Sequence, residues 1–368
     1  MALATSRLRV RSSVVAHALA LRAVHGPRVR PGAVRRLLIA HHLLAGDTIM
    51  LTPLLAKARE RFPQAAIAMM VRPALAPLYK TLPYGVQALP FEPRDYATLN
   101  ALLSDHRYDL ALVPGDNRYS WLAAALDAQW VVAFAGDRPA VKSWMVDEYV
   151  SYPGEPMAWS DMNTLLLEGP PPRPYQPSDW PAPPVAPFER PTGRYAVLHV
   201  EASTPLKHWE NAKWLELAGA LAAKGLQPVW SAGRDSPMID KIDPKRKFNA
   251  VGHRLDLVQL AHLVAGAALL VCPDTSVAHF GKLTFTPTVT LYGPSSALLF
   301  GKGEFWKNAP FRGVTIEDFP CRDQQTLFKR RIEWVKRCQR STAECAEPRC
   351  MHAIPVEQVL AAARELGL

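Results

Sequence analysis

Short apolar runs that lack polar alternation recur along the chain, and amphipathic stretches of helical period separate them. In the first half these runs cover residues 37–40, 66–71, 86–91, 110–113 and 130–135. In the second half they cover residues 195–200, 228–231, 269–272 and 288–292. The helical patterns between them are clearest at residues 48–62, 211–224 and 257–266. Strands that are apolar on both faces and alternate with helices are typical of covered parallel sheets, so the pattern predicts an α/β protein.

A proline-rich segment divides this alternating pattern into two similar halves. Residues 170–191 contain ten prolines, which exclude a helix interior and a central strand. The predicted limits are a basic tail 1–33, an N-terminal domain 34–169, a linker 170–191, a C-terminal domain 192–352 and a C-terminal helix 353–368. Ligands of such domains bind beyond the carboxyl ends of the strands, so we expect the site in the cleft between the two domains.

The charge of the chain is concentrated at its N terminus. The 368 residues carry a net charge of +10, and residues 1–46 hold eight arginines and no acidic residue. This composition predicts a solvated, disordered tail over residues 1–33. The alternative is a cationic arm that is attracted to an anionic membrane face or an anionic substrate. A membrane span is not expected, because the longest apolar stretch, residues 258–271, is shorter than the roughly 18 residues that a crossing needs.

Five cysteines are too few for a disulfide framework in a chain of this length. Cys272 lies in an apolar run, where we expect a small core residue. The other four, Cys321, Cys338, Cys345 and Cys350, fall within thirty residues, but they form no Cys-x-x-Cys pair. Reduced packing thiols are the default interpretation of this cluster, and a structural metal is the alternative.

The first strand of the N-terminal half ends at a glycine and an acidic residue, directly before a predicted helix. Gly46 permits a tight turn and the close approach of a ligand, and Asp47 then stands at the edge of the cleft. A carboxylate at a helix start is a preferred N-cap, which is one interpretation of Asp47. The other interpretation is a general base that accepts a proton from a substrate hydroxyl.

Two strand ends in the C-terminal half carry small hydroxyl residues and a cation. Ser203, Thr204 and Lys207 follow the first strand of this half, just before a helix. Asp274-Thr275-Ser276 ends a later strand at another helix start, where free backbone N–H groups and the helix dipole favour an anion. These residues therefore predict a phosphate site, while N-capping by Asp274 or Thr275 and a solvated Lys207 are the structural alternatives. No Gly-x-Gly-x-x-Gly or Walker lysine motif follows the strands, which argues against a nicotinamide enzyme and a P-loop NTPase.

Four motifs resemble, in their order along the chain, those of the bacterial heptosyltransferases of glycosyltransferase family 9. They are Gly46-Asp47 with residues 51–55 and 59–63, Lys207-His208-Trp209, residues 274–279 with 292–294, and Cys350-Met351 with residues 354–359. The resemblance extends over roughly residues 34–368. It implies a GT-B fold of two facing Rossmann-like parallel-sheet domains with an interdomain cleft. It also implies a metal-independent transferase that inverts the anomeric centre of a nucleotide-activated sugar.

The resemblance implies a role for each matched residue. Asp47 would deprotonate an acceptor hydroxyl as it attacks ADP-heptose, and Lys207 would stabilise the departing ADP. The donor would be bound by Gly46, Thr48, Ser203, Thr204, Lys207, Asp235, Asp274, Thr275, Ser276, His279 and Gly293. Arg72 would meet an anionic acceptor such as the phosphorylated core of a lipopolysaccharide. The expected partners are a nucleotide sugar and an anionic glycolipid, without nucleic acid, on the cytoplasmic side of an inner membrane that the protein can contact peripherally.

Two positions depart from the family pattern. Ser276 stands where family members usually carry glycine, and the glutamate expected near Ser236 is absent, with Asp235 as the available substitute. Two further functions stay open. In one, the acceptor is a protein or another surface glycan, and the four late cysteines hold iron as in some protein heptosyltransferases. In the other, the chain binds a nucleotide sugar without transferring it, as a scaffold or an epimerase.

Overall fold

Each half of the chain folds around its own parallel sheet of six strands. The computed structural model describes residues 6–26, 28–104, 107–251 and 255–368. The strands of the first sheet are β1 Arg36–Ile39, β2 Ala66–Val71, β3 Val86–Pro90, β4 Tyr108–Val113, β5 Ala128–Phe134 and β6 Glu148–Val150. Those of the second are β7 Tyr195–His199, β8 Gln227–Ser231, β9 Asn249–Ala250, β10 Leu269–Pro273, β11 Thr288–Tyr292 and β12 Phe311–Thr315. The predicted α/β class is thereby confirmed.

Both sheets follow the same strand order. The first reads β3-β2-β1-β4-β5-β6, and the second, read from its other edge, reads β9-β8-β7-β10-β11-β12. In each sheet the order reverses between the first and the fourth strand, and a crevice opens there at the carboxyl ends. The loops after β1 and β4 flank the crevice of the first sheet, and those after β7 and β10 flank the crevice of the second.

Helices cover both faces of the two sheets. Those of the first half are α1 Arg7–His25, α2 Ala45–Ile49, α3 Thr52–Arg61, α4 Tyr96–Ser104, α5 Tyr119–Ala125 and α6 Trp159–Met162. Those of the second half are α7 Asn211–Ala223, α8 Met238–Ile242, α9 Leu257–Ala265, α10 Ser276–Thr284, α11 Ala297–Phe300, α12 Arg349–His352 and α13 Val356–Glu365. The single helix predicted over residues 48–62 is two helices, because Pro53 stands in the first turn of α3 and lacks the N–H that a continuous helix would use.

Three strands escaped the apolar pattern, namely β6, β9 and β12. Each lies at an edge of its sheet, and none is buried along its whole length. Edge strands are covered less completely than central ones, so they do not show the continuous apolar run on which the prediction depended.

The disorder predicted for residues 1–33 is wrong for most of that segment; residues 1–5 and 27 lie outside the described residues. Helix α1 spans Arg7–His25, and its buried stripe of Val10, Val14 and Ala18 packs on α5. Two arginines of the segment bind the first domain: Arg22 Nη1 lies 2.9 Å from Asp147 Oδ1, and Arg28 Nη1 donates to the Ala128 carbonyl at 2.7 Å. The apolar stripe at helical spacing and the binding of the arginines stabilise this segment in spite of its polar composition. In the described part of the chain, no helix is long and apolar enough to span a bilayer.

The proline-rich segment 170–191 contains one short 3₁₀ turn, Pro177–Asp179, and buries two of its aromatic residues. The Tyr175 hydroxyl donates to the Leu283 carbonyl at 2.8 Å in the second half, and Trp180 Nε1 donates to the Leu78 carbonyl at 3.2 Å in the first half. The segment therefore binds both halves. We propose to keep the domain limits 34–169 and 192–352, with α1 added to the first domain and α13 packed on the second through Val356, Val359 and Ala363.

Candidate active site

Lysine 207 and aspartate 274 form an ion pair at the crevice of the second sheet. Lys207 lies at the end of the short helical turn after β7, and Asp274 directly follows β10, the neighbouring strand. Lys207 Nζ donates to the Asp274 carboxylate at 2.7 Å and to its backbone carbonyl at 3.0 Å. Because an ammonium group has three N–H donors, one of them is left over to meet a ligand. The structure thus brings together two of the predicted donor-site residues.

The first turn of α10 starts beside this pair without a side-chain cap. Thr275 occupies the N-cap position in an extended conformation, but its side chain makes no capping bond in the described structure. Asp274 directs its carboxylate to Lys207 instead. Thr275 is thus the N-cap residue by position, as the structural alternative had it, but neither side chain caps the helix, and the N–H groups at the start of the nine-residue helix remain open to an anion.

The two domains meet where α2 packs on α10. A Cβ atom placed on Gly46 would lie 3.0 Å from His279 Cδ2 and 3.3 Å from Ser276 Cα. This spacing is tighter than ordinary side-chain packing, so a side chain at position 46 would push His279 or the start of α10 away by a few tenths of an ångström. Glycine at position 46 thus favours the close approach of the two helices, with Ser276 opposite it. Gly46 and the start of α10 therefore form one continuous wall of the cleft.

Aspartate 47 is the acidic group of this wall. It lies inside the first turn of α2, whose N-cap is Leu44, so the prediction of Asp47 as an N-cap is wrong. Burial, and next the charge of Asp274, raise the pKa of Asp47 to about 6, while Lys207, Arg337 and Arg72 oppose the shift. At pH 7 such a group is mostly ionised and is a stronger base than an ordinary aspartate.

Two buried histidines line the same region in the neutral state. Burial holds the pKa of His279 well below its ordinary value, and the cations Lys282 and Lys207 act in the same direction. Burial also lowers the pKa of His41 to about 3, and its Nδ1 accepts the N–H of Leu43 at 3.1 Å. The predicted site residue His279 therefore packs on Gly46 as an uncharged ring.

Two predicted donor residues lie away from the cleft surface. Thr48 is fully buried, and its hydroxyl donates to the Leu44 carbonyl at 2.9 Å within α2. Gly293 is packed against Met351, whose Cγ would be 2.3 Å from a Cβ atom at this position. The need for glycine at 293 is thus explained by packing of the C-terminal segment.

The loops after β7 and β8 hold the remaining predicted donor residues. Ser203 is exposed, and Thr204 caps the turn that carries Lys207 by accepting the Leu206 N–H at 3.4 Å. Asp235 is exposed, with a left-handed backbone at φ 61°. The carboxylate that contacts this second loop belongs to Glu201, whose Oε2 accepts the Gly233 N–H at 2.6 Å. Sequence reasoning missed Glu201, although it stands at a strand end like the other site residues.

Arginine 72 lies at the end of β2 and lines a cavity of about 950 Å³ on the first domain. Its Nε donates to the Leu43 carbonyl at 2.9 Å. The apolar wall of the cavity consists of Val10, Val14, Val15, Leu19, Trp121 and Trp144, among others. Its arginines are Arg7, Arg11, Arg72, Arg94 and Arg118, against a single acidic residue, Glu92. The cavity, which sequence reasoning missed because α1 builds one side of it, is suited to an anionic molecule with an apolar part.

The four late cysteines lie close enough to influence one another. Burial, and next the charge of Cys338, raise the pKa of Cys321, and burial and next Cys321 raise that of Cys350 to about 11. All four thiols are free. Among the residues that the structure describes, no group of three or more His, Cys, Asp or Glu side chains is arranged to hold a metal ion.

Comparison with known proteins identifies the family of the chain. It matches the family described as glycosyltransferase family 9 (heptosyltransferase) over residues 97–332, well over half of its length. The lipopolysaccharide heptosyltransferase 1 of Salmonella typhimurium is 31% identical to it over 109 residues, which are 29% of this chain and 34% of that protein. The match thus spans about a third of the length of this curated relative.

Solved structures share the fold over most of the chain. The glycosyl transferase family 9 protein of Veillonella parvula has a TM-score of 0.68 at 16% identity, over 90% of this chain and 97% of its own. The ADP-heptose lipopolysaccharide heptosyltransferase II of Escherichia coli has a TM-score of 0.65 at 19% identity, over 90% of this chain and 98% of its own. At these identities the likeness shows the fold, which is the GT-B arrangement of two parallel-sheet domains.

Proposed function

The chain belongs to glycosyltransferase family 9, and from this premise we propose that it transfers heptose or a related sugar from ADP-heptose to an anionic glycolipid of the lipopolysaccharide core type. The observation that supports the proposal is the position of Asp47 beside the Lys207–Asp274 pair and the open start of α10, close enough for both charges to act on its pKa. The same wall of the cleft offers a base and an anion site. The related heptosyltransferases suggest the sugar and the acceptor class.

The donor diphosphate is assigned to the start of α10. The third N–H of Lys207 and the uncapped N–H groups of the helix are the donors available there. The leaving diphosphate gains negative charge as the bond to the sugar breaks. A fixed cation and a helix dipole therefore stabilise the transition state more than the ground state, which is the condition for acceleration.

Asp47 is assigned as the general base. The acceptor oxygen attacks the anomeric carbon and gives its proton to the Asp47 carboxylate, while the bond from that carbon to the phosphate oxygen breaks and the nucleoside diphosphate leaves with the electron pair. A single displacement of this kind inverts the anomeric centre. Because the pKa of Asp47 is about 6, we expect the rate to rise with pH through this value and to level off above pH 7.

The acceptor is assigned to the cavity that Arg72 lines. An apolar wall and five arginines favour a substrate with phosphate or carboxylate groups and a lipid part. Arg72 also lies near enough to lower the pKa of Asp47, which connects the cavity to the base.

The test is the substitution Asp47→Ala, with Glu155→Gln, a change at an exposed carboxylate, as the control. We expect Asp47→Ala to abolish nucleotide release in the presence of donor and acceptor while ADP still binds by calorimetry. Equal turnover by this variant would overturn the base assignment. Thermal shifts with ADP, GDP, UDP and dTDP identify the nucleotide, since ligands of the native state raise its stability. Nucleotide binding without any transfer by the wild type would favour a scaffold or an epimerase.

A further inference from the structure

An arm formed by residues 318–340 leaves the second domain after β12 and crosses to the first domain. It contains a two-stranded antiparallel hairpin, β13 Thr326–Leu327 and β14 Arg330–Arg331. Both ends of the arm are fixed beside the loop after β11. Arg322 Nε donates to the Gly293 carbonyl at 2.7 Å, and the Cys338 N–H donates to the Pro294 carbonyl at 2.8 Å. The arm thus starts and ends at the carboxyl edge of the second sheet.

The tip of the arm is buried in the first domain through Arg330, which is 3% exposed. Its guanidinium donates to the carbonyls of Gly115 at 2.7 Å and Ala135 at 2.9 Å and to the Asn117 side-chain oxygen at 2.7 Å. Trp334 Nε1 adds a bond to the Pro153 carbonyl at 2.9 Å. The arm is therefore bound to both domains. The position of its middle residues depends on how the two domains are placed relative to each other.

Arginine 337 lies on the returning strand of the arm, next to the point where Cys338 binds Pro294. Its guanidinium carbon lies 5.4 Å from the centre of the Phe300 ring, and its Nε is buried without a hydrogen-bond partner among the described residues. Asp47 and Asp274 are both close enough to interact with its charge. A buried N–H donor that has no partner among the described residues is costly, and an anion bound beside Asp47 and Asp274 would complete it.

We propose that Arg337 binds the diphosphate of the nucleotide donor as a second cation beside Lys207, and that the arm presents it to the cleft. The inference rests on the proposed function. Lys207 already uses two of its three N–H groups on Asp274, so it offers the donor one hydrogen bond. A guanidinium is planar and offers paired donors that match two phosphate oxygens, which supplies the contacts that Lys207 lacks.

The experiment measures ADP, AMP and adenosine binding by calorimetry for the wild type, Arg337→Gln and Arg337→Lys. Glutamine keeps most of the length that packs on Phe300, and lysine keeps the charge. Lys336→Ala is the matched control, because it removes a neighbouring cation whose side chain is 76% exposed. We expect Arg337→Gln to weaken ADP binding about tenfold or more, because a hydrogen bond from a charged donor is lost. Adenosine binding should be unchanged, and Arg337→Lys should partly restore ADP binding.

A second readout is the pH profile of turnover. Since the charge of Arg337 lowers the pKa of Asp47, its removal raises that pKa, and the acidic limb of the profile moves to higher pH. Unchanged ADP affinity in Arg337→Gln, or an equal loss of adenosine binding, overturns the inference while leaving the proposed function intact. A wild-type protein that binds none of ADP, GDP, UDP and dTDP overturns both.

Discussion

The substitution Asp47→Asn is expected to stabilise the protein at neutral pH while it abolishes transfer. Asp47 is partly buried, and its pKa of about 6 lies above the ordinary value of 3.8. A carboxyl group whose pKa is raised by folding is harder to ionise in the folded chain than in the unfolded chain. Its contribution to stability is therefore complete below pH 3.8 and is lost as the pH rises through about 6.

The magnitude follows from the two pKa values. The interval from 3.8 to about 6 corresponds to about 3 kcal/mol of folding free energy that is lost above pH 7. Asparagine has nearly the shape of the carboxyl group and carries no charge, so the variant avoids this loss. With an unfolding entropy of about 2.1 cal/mol/K per residue over 368 residues, the gain corresponds to about 4 °C in Tm.

The assay is calorimetric unfolding of the wild type, Asp47→Asn and the control Glu155→Gln at constant ionic strength between pH 4 and 8. We expect the variant to exceed the wild type at pH 7.5 and the difference to vanish near pH 4, where Asp47 is protonated. Glu155→Gln should match the wild type throughout, since position 155 is exposed. A variant that is less stable than the wild type at pH 7.5, or a difference that does not depend on pH, would refute the reasoning from burial.

Three further substitutions test the contacts of the cleft. Lys207→Ala leaves the carboxylate of Asp274, which is 7% exposed, without its partner, so we expect a loss of about 3 kcal/mol in urea unfolding. The added change Asp274→Asn should restore stability but not ADP affinity, and a double variant as unstable as the single one would argue against the pair. Gly46→Val places a side chain against α10, where a Cβ atom alone would lie 3.0 Å from His279. We therefore expect kcat/KM to fall with little loss of ADP affinity. Wild-type turnover by this variant would show that the close contact is not needed. Arg330→Ala leaves buried carbonyls without their donor, and we expect a loss of about 3 kcal/mol or more in unfolding free energy, while an unchanged value would mean that the arm does not hold the domains together.

The parts of the fold and site that the sequence predicted are those encoded in contiguous residues. Central strands are apolar on both faces over four to seven residues, so their positions and the α/β class could be predicted. The loops that carry Asp47, Lys207 and Asp274 directly follow such strands. Once the strands are parallel, their ends meet at one edge. The motifs in these loops also gave the family, which is confirmed.

The parts that could not be predicted depend on contacts between distant residues. Nothing in the sequence near Arg330 or Arg337 distinguishes these residues from the many exposed arginines, because their roles come from carbonyls and carboxylates of other segments. Capping of α10 by the side chain of Asp274 failed for the same reason, since Lys207, 67 residues away, takes that carboxylate. Helix α1 differs, because the spacing of Val10, Val14 and Ala18 was visible in the sequence but was outweighed by the arginines around it.

The charges around the cleft connect donor binding to base strength. Two carboxylates, Asp47 and Asp274, face three cations, Lys207, Arg337 and Arg72, and the cations keep the pKa of Asp47 from rising further. A bound diphosphate adds about two negative charges next to Lys207 and, as we infer, Arg337. These cations then act less on Asp47, and its basicity increases only when the sugar donor is in place. In the proposed mechanism, base strength and donor occupancy are therefore coupled by the same two side chains, which favours proton transfer in the complete complex over proton transfer in the empty cleft.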